Sequence, residues 1–342
     1  MPDTYTSQFS GEEIDAALRA AQIISGASTL DELRDKLEIR GDTIPVSAED
    51  STLISEALTK IPTTSGGGVN PNLLDNWYFG RPVNQRGQTE YTGNATYSID
   101  RWRTQYETTL SIVDGGIKIG GKWDVQQYFE NTLPNATYTL SLLYRDRTGS
   151  DPLRLIAGNR TDGDLAQTES KDASGILSVT FSTAKLNKVN FGFTGSTDNS
   201  AIIIAIKLEL GSTQTLAHKE GDKWVLNEIP DFGEQLRRCQ RYCRVIGGTN
   251  NQPFCNAVRR EATKLEGFIP IDNSFRTAPS ISVNGYFSVI PDFHSVKFTS
   301  GDTLSPQGVT LFFERNDGGT FDKDAYLIYA GADTRIILSA DL

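Results

Sequence analysis

Along the chain, apolar residues recur first with the period of a helix and then with the period of a strand. Ser10-Gly11-Glu12-Glu13 has the form of a capping box, with a Ser hydroxyl for the N3 amide and a Glu to reach back. Behind it Ile14, Leu18, Ala21 and Ile24 fall on one helical face. A second helix is predicted from Ser28, with Leu30, Leu33 and Leu37 turned inward, and a third from Ser51 to Lys60. None of the three carries enough apolar surface to build a domain alone, so residues 1–61 read as a helical segment that needs a partner. Pro62 to Pro71, with three consecutive glycines at Gly66–Gly68, is a tether rather than an element.

From Asn72 the period becomes two. Tyr138, Leu140, Leu142 and Tyr144 alternate with Thr137, Thr139 and Ser141, as expected of a strand buried on one face. Leu177-Val179-Phe181 and Val189-Phe191-Phe193 repeat the pattern. Ile202, Ile204, Ile206, Leu208 and Leu210 extend it furthest, which puts Lys207 and Glu209 on the wet face. Turn clusters such as Asp114-Gly115-Gly116 and Gly195-Ser196-Thr197-Asp198-Asn199 separate these runs. Many short strands at this spacing predict an antiparallel, jelly-roll-like sandwich over residues 72–230.

One amphipathic helix is predicted next, capped by Asp231 with Glu234 at N3. Phe232, Leu236, Cys239, Cys243 and Ile246 form its apolar face. After it the β pattern returns through Leu338, so residues 231–342 read as this helix plus a smaller C-terminal β-sandwich. The fold class expected is therefore mainly β: a short helical segment followed by two antiparallel sandwiches joined by one helix.

Composition narrows the function. The 342 residues contain 33 Lys plus Arg against 43 Asp plus Glu, for a net charge of -10. With no long basic cluster, nucleic acid and anionic membrane surfaces are poor partners. The most apolar run, Ala201 to Ile206, is too short to span a bilayer, and the first residues lack a signal-peptide pattern. Synthesis in a cytoplasm is expected.

Catalytic and metal motifs are missing. There is no Walker loop, no Gly-x-Ser-x-Gly elbow and no His-Glu-x-x-His, and the chain has only two histidines, His218 and His294. The three cysteines, Cys239, Cys243 and Cys255, read as small buried hydrophobes, with a structural zinc as the alternative. No cofactor is expected. Asp162-Gly163-Asp164 offers oxygens of the kind that hold Ca²⁺ but not a complete ligand spacing, so it reads as a solvated turn. A glycan depolymerase would need only two carboxylates, for which Asp100, Asp114, Asp124 and Asp198 are candidates by number alone. No catalytic residue is assigned.

Aromatic residues carry the binding candidates. Trp77 and Trp102 lie near strand starts and are expected in the core. Trp123 follows Gly120-Gly121-Lys122, which suggests an exposed turn, and Tyr106 and Tyr128 lie nearby in sequence. Tyr286, Asn316 and Asp317 fall in predicted loops of the C-terminal domain. These six are the candidate glycan-contacting residues, since sugars lay their C–H faces on such rings beside polar groups.

Four motifs together resemble tail proteins of phages and prophages of gut Firmicutes. Thr6 to Leu18 resembles their N-terminal opening. Asn72-Leu73-Leu74-Asp75-Asn76-Trp77-Tyr78-Phe79, Pro82-Val83-Asn84-Gln85-Arg86-Gly87 and Ile99-Asp100-Arg101-Trp102 resemble their carbohydrate-binding-module-like domain. Lys207 to Gly211 with Cys239-Gln240-Arg241-Tyr242 resembles its end and the connecting helix, and Phe268-Ile269-Pro270-Ile271 with Arg276-Thr277-Ala278-Pro279 resembles the opening of a tip domain. Cys243 departs from the pattern, where an aromatic is usual, as do the added residues Glu220 to Trp224.

The resemblance implies a virion tail fibre or baseplate appendage, commonly a homotrimer, bound to tail or baseplate proteins through its N-terminus and presenting its sandwiches to a host-surface glycan. Phe9, Ile14, Leu18, Ala21, Leu30 and Leu33 would then serve attachment and self-association. A purely structural spacer is the alternative without a ligand.

Overall fold

A computed structural model of the protein describes residues 70–247, 252–271, 275–305, 308–331 and 333–342. The predicted N-terminal helices, the tether as far as residue 69 and the six candidate attachment residues lie outside this range.

The period-two segments form strands. They are β1 (Glu90–Thr92), β2 (Thr96–Tyr97), β3 (Arg103–Thr104), β4 (Thr109–Val113), β5 (Gly116–Gly120), β6 (Trp123–Tyr128), β7 (Ala136–Thr148), β8 (Leu153–Asn159), β9 (Gly163–Ser170), β10 (Gly175–Thr183), β11 (Lys188–Phe193) and β12 (Ser200–Leu210). They pair into two six-stranded antiparallel sheets, β1-β4-β5-β12-β7-β10 and β2-β3-β6-β11-β8-β9. Taking the eight strands β5 to β12 in sequence, the order β5-β12-β7-β10 against β6-β11-β8-β9 is that of a jelly roll. The core between the sheets holds Phe79, Trp102 and Phe191, whose ring centroids lie 5.3–5.9 Å apart. Trp77 and Trp102 are buried, as the sequence predicts.

On the other face of the first sheet, the small polar residues of β7 meet those of β10. Thr139 and Thr180 hydroxyls lie 3.0 Å apart, and those of Ser141 and Ser178 3.2 Å. Cross-strand hydroxyl pairs of this kind add stability without apolar area.

β12 departs from its predicted alternation. Two bulges, between Ser200 and Ile202 and between Ile203 and Ala205, shift its register against β7. Ala201 and Ile203 therefore point into the core, Ile202 and Ile204 are only half-buried, and Ile206 and Leu208 return to the core. Lys207 and Glu209 are fully buried rather than wet. Later residues satisfy them: Lys207 Nζ donates to Glu228 Oε1 at 2.7 Å, and Glu209 Oε1 accepts the Thr215 amide at 2.7 Å.

The residues between the sandwich and the helix form a hairpin, β13 (Ala217–Glu220) and β14 (Lys223–Leu226), which contains the added residues Glu220 to Trp224. Helix α1 (Phe232–Cys239) follows, and its N-cap Asp231 accepts from the Glu234 amide at 2.8 Å, as predicted. The helix ends earlier than its apolar spacing suggests. Cys243 and Ile246 lie instead on β15 (Cys243–Gly247), which pairs with β23 (Arg335–Ser339) beside β18 (Ser280–Asn284). Six further strands close into a barrel: β16 (Gln252–Glu261), β17 (Lys264–Pro270), β19 (Phe287–Ile290), β20 (Ser295–Ser305), β21 (Gly308–Arg315) and β22 (Ala325–Ala330). The expectation of a second antiparallel β domain thus holds in class. Its larger sheet closes on itself, which removes edges that would otherwise invite pairing. Leu265, Phe287, Leu311, Phe313 and Ile328 fill its core.

Buried charge joins the two domains. Arg86 reaches Asp100 of the sandwich at 3.2 Å and Asp341 at 2.5 Å, and Arg335 Nη1 donates to the Arg86 carbonyl at 2.7 Å. Tyr97 hydrogen-bonds both the amide and the carbonyl of Leu342.

Candidate functional site

The second sheet turns one face to the core and carries an unusual set of side chains on the other. In β6, Val125 points inward while Asp124, Gln126 and Tyr128 point outward. Backbone pairing sets Gln126 opposite Arg103 and Asn190, and Asn190 opposite Ile156. The neighbouring row runs Asp124, Gly192, Arg154. Gly192 matters for close approach: a Cβ there would lie 2.8 Å from Asp124 Oδ1 and 2.3 Å from the Trp123 carbonyl. Its absence lets the carboxylate lean across the strand.

These outward polar groups are tightly packed. Asp124 is 6% exposed, Gln126 9% and Asn190 2%. Asn190 Nδ2 donates to Asp124 Oδ2 at 2.6 Å, and Arg154 Nη2 lies 3.7 Å from Asp124 Oδ1. Gln126 Oε1 accepts from Gln105 Nε2 at 3.0 Å and from the Tyr128 hydroxyl at 2.6 Å. The Arg160 guanidinium sits over the Tyr128 ring, 3.8 Å from its centroid.

Four buried atoms on this face nevertheless lack a hydrogen-bond partner: Asp124 Oδ1, Asn190 Oδ1, Arg103 Nε and Arg154 Nε. Two are acceptors and two are donors. Buried polar groups are otherwise paired almost throughout folded proteins, because leaving one unpaired costs about 1–3 kcal/mol. Burial also raises the Asp124 pKa, opposed by the nearby Arg154 and by the Asn190 hydrogen bond.

An exposed aromatic pair stands at the start of β6. Tyr106 and Trp123 are 52% and 39% exposed, and their ring centroids lie 5.0 Å apart at 42°. Both residues have left-handed backbone, with φ of 45° and 87°. For bulky side chains this conformation is strained and persists only where the surroundings impose it. Here the Tyr106 amide donates to Asn94 Oδ1 at 3.0 Å, the Gln105 amide to the Asp124 carbonyl at 3.0 Å, and the Thr108 hydroxyl to the Lys122 carbonyl at 3.1 Å. The pair is thereby tied to the strand that bears Asp124.

The structure therefore places Trp123 and Tyr128 at the two ends of β6, sets Tyr106 in the turn after β3 against Trp123, and leaves the other three candidates in the barrel domain. Tyr286 is exposed, but its amide donates to Thr334 Oγ1 at 3.0 Å. Asn316 Nδ2 donates to Ser295 Oγ at 2.8 Å. Asp317 accepts from Arg315 Nε at 2.8 Å and from the Gly319 amide at 2.9 Å, and the guanidinium holds its pKa well below the usual carboxylate range. The polar groups of that turn are spent on the turn itself.

Sequence reasoning passed over Asn190, Arg103, Arg154 and Gln126, and counted Asp124 only as one carboxylate among several. The outward signal was present in the alternation Asp124-Val125-Gln126-Gln127-Tyr128. The other counted aspartates lie elsewhere: Asp100 is buried at the joint with the barrel, and Asp114 and Asp198 occupy exposed turns. In the Asp162-Gly163-Asp164 turn, Lys185 lies 2.9 Å from Asp162 and Lys188 3.8 Å from Asp164. Cys239 and Cys243 are buried thiols, and burial raises the pKa of Cys243 to about 12. Among the described residues no cluster of three or more His, Cys, Asp or Glu could hold a metal, and no helix is long and apolar enough to cross a membrane.

No family model and no curated protein matches the chain. Among solved structures, it is similar to the N-terminal CBM22-1-CBM22-2 tandem domain of Xyn10C from Paenibacillus barcinonensis. The identity is 11% over 80% of this chain and 99% of that one, with a TM-score of 0.26, too low to carry an argument. The jelly roll stands on its own strand order.

Proposed function

We propose that the protein is a non-catalytic glycan-recognition component and that the outer face of the sandwich's second sheet is its binding surface. The observation that carries this reading is the set of unpartnered buried donors and acceptors on that face, with an exposed aromatic pair at the end of the strand that bears Asp124. These four atoms are closed to solvent, so a sugar would reach them only as the arginine side chains of the face shift; a hydroxyl, which donates and accepts at once, then suits both kinds of partner. The Tyr106 and Trp123 rings offer an apolar platform for the C–H face of a sugar ring. Titration calorimetry against neutral oligosaccharides tests the reading. Saturable binding that weakens in Trp123→Ala, with an unchanged melting curve, supports it. Unchanged binding removes Trp123 from the site.

The resemblance of the N-terminal and sandwich motifs to phage tail proteins supports a tail fibre or baseplate appendage as the setting. Residues 1–61 would then hold the chain to the tail and to its own copies as a homotrimer, and the sandwich would present the face to the host surface. Light scattering of the full chain and of a version starting at Asn72 tests this. A trimer that becomes a monomer on truncation is the expected result, and a monomeric full chain would end the trimer reading.

A further inference from the structure

A second site lies away from the outer face, where helix α1 and the residues after it meet the sandwich. They enclose a cleft of about 540 Å³. Four guanidiniums line it, those of Arg101, Arg237, Arg238 and Arg241, against two carboxylates, Asp75 and Glu130. On a chain of net charge -10, this is a local concentration of positive charge.

The pairing inside the cleft does not balance. Glu130 is fully engaged: it accepts from Arg241 Nε at 2.8 Å, from Arg241 Nη2 at 3.0 Å and from the Tyr242 hydroxyl at 2.7 Å. Arg237 is held by Glu234 of its own helix at 2.9 Å. Asp75, by contrast, serves two cations, with Arg101 Nε 3.0 Å from Oδ2 and Arg238 Nη2 2.7 Å from Oδ1. One carboxylate between two guanidiniums leaves an excess positive charge.

Arg101 is the buried member of that pair, its side chain 2% exposed. Its Nη2 donates to the Tyr128 carbonyl at 2.7 Å, and its guanidinium lies 3.4 Å from the Tyr242 ring centroid. Its Nη1 has no hydrogen-bond partner. Leu73, Phe129 and Leu133 supply the apolar part of a lining that is otherwise polar. Arginine's planar fork suits oxyanions, which accept two parallel N–H bonds.

We infer that this cleft binds an oxyanion, the carboxylate of an acidic sugar or a phosphate, at Arg238, with buried Arg101 contributing charge from beneath rather than a hydrogen bond. The anion supplies the negative charge that Asp75 alone does not. Arg238 is partly exposed and can pivot to share a ligand, whereas Arg101 stays buried.

The test titrates the full chain at constant ionic strength with sodium phosphate, with galacturonate and with uncharged galactose, read by intrinsic fluorescence. Saturable anion binding that Arg238→Gln weakens is expected, whereas any response to galactose belongs to the outer face and should be the same in Arg238→Gln as in the parent chain. Galacturonate alone identifies an acidic sugar, phosphate alone a phosphorylated ligand, and both together a general oxyanion seat. Arg238→Gln should weaken the anion about tenfold, Arg238→Lys should retain more of it, and Trp123→Ala should leave it unchanged. Circular dichroism confirms that each variant is folded. If neither anion binds saturably, or if folded Arg238→Gln binds as well as the parent chain, the four arginines serve only to tie the helix to the sandwich and the inference is overturned.

Discussion

Asp100 and Asp124 are both buried aspartates beside an arginine, yet they sit in opposite circumstances. Asp100, at the joint with the barrel, has both oxygens engaged. Arg86 Nη1 lies 3.2 Å from Oδ1, and the Gln85 amide and Nε2 each donate to Oδ2 at 3.2 Å. Asp124, on the outer face, has Oδ2 taken by Asn190 and Oδ1 without a hydrogen bond. Burial alone therefore does not tell the two carboxylates apart. What separates them is whether the chain itself completes the hydrogen-bond set.

The largest expected effect sharpens the Asp100 side. Burial raises its pKa to about 6, against the opposing pull of Arg86 and Gln85. Between the unfolded value near 3.8 and the folded value, the native state binds more protons than the unfolded chain. Stability is therefore highest below that window and declines as pH rises through it, by about 2–3 kcal/mol from this group. Denaturant melts from pH 4 to 7.5 should show this slope in the parent chain and lose it in Asp100→Asn. An identical slope in both would assign the pH dependence elsewhere.

On the Asp124 side, Asp124→Asn keeps the shape and removes the charge. Oligosaccharide affinity should fall about 30-fold, about 2 kcal/mol, while the melting temperature stays close to the parent's. A stability loss with unchanged affinity would make Asp124 a second Asp100. Trp123→Ala should cost about tenfold in affinity. A double-mutant cycle with Tyr106→Ala should show coupling of about 0.5–1.5 kcal/mol, since the rings touch. The smallest effect belongs to the barrel. Tyr286→Ala and Asp317→Ala should leave glycan affinity within about twofold of the parent value, because Asp317 is already held by Arg315 and the Gly319 amide and Tyr286 lies on a separate loop of the barrel domain. A larger loss would move the site, or part of it, onto the barrel.

The sandwich was legible because each strand buries one face and so repeats every second residue. Tyr138, Leu140 and Leu142 declare themselves in order, and Trp77 and Trp102 could be placed in the core. The proposed binding face was not legible for a related reason. Asp124, Arg154 and Asn190 come from β6, β8 and β11, and only the pairing of β11 with both neighbours brings them together. Alternation says which way a side chain points but not which strand lies beside it. The misread positions have equally local causes. Two bulges reversed the parity of β12, residues after Gly211 satisfied Lys207 and Glu209, and pairing of β15 with β23 drew Cys243 out of the helix.

The left-handed backbone of Tyr106 and Trp123 has a thermodynamic consequence. A main chain held in one conformation has little freedom left to lose if a sugar settles on the proposed platform, so that part of the ordering penalty is met during folding rather than at binding. Such a platform would bind with a small entropic cost and would not need to wait for a loop to rearrange. Calorimetry across a temperature series, rather than affinity alone, would register that economy of motion.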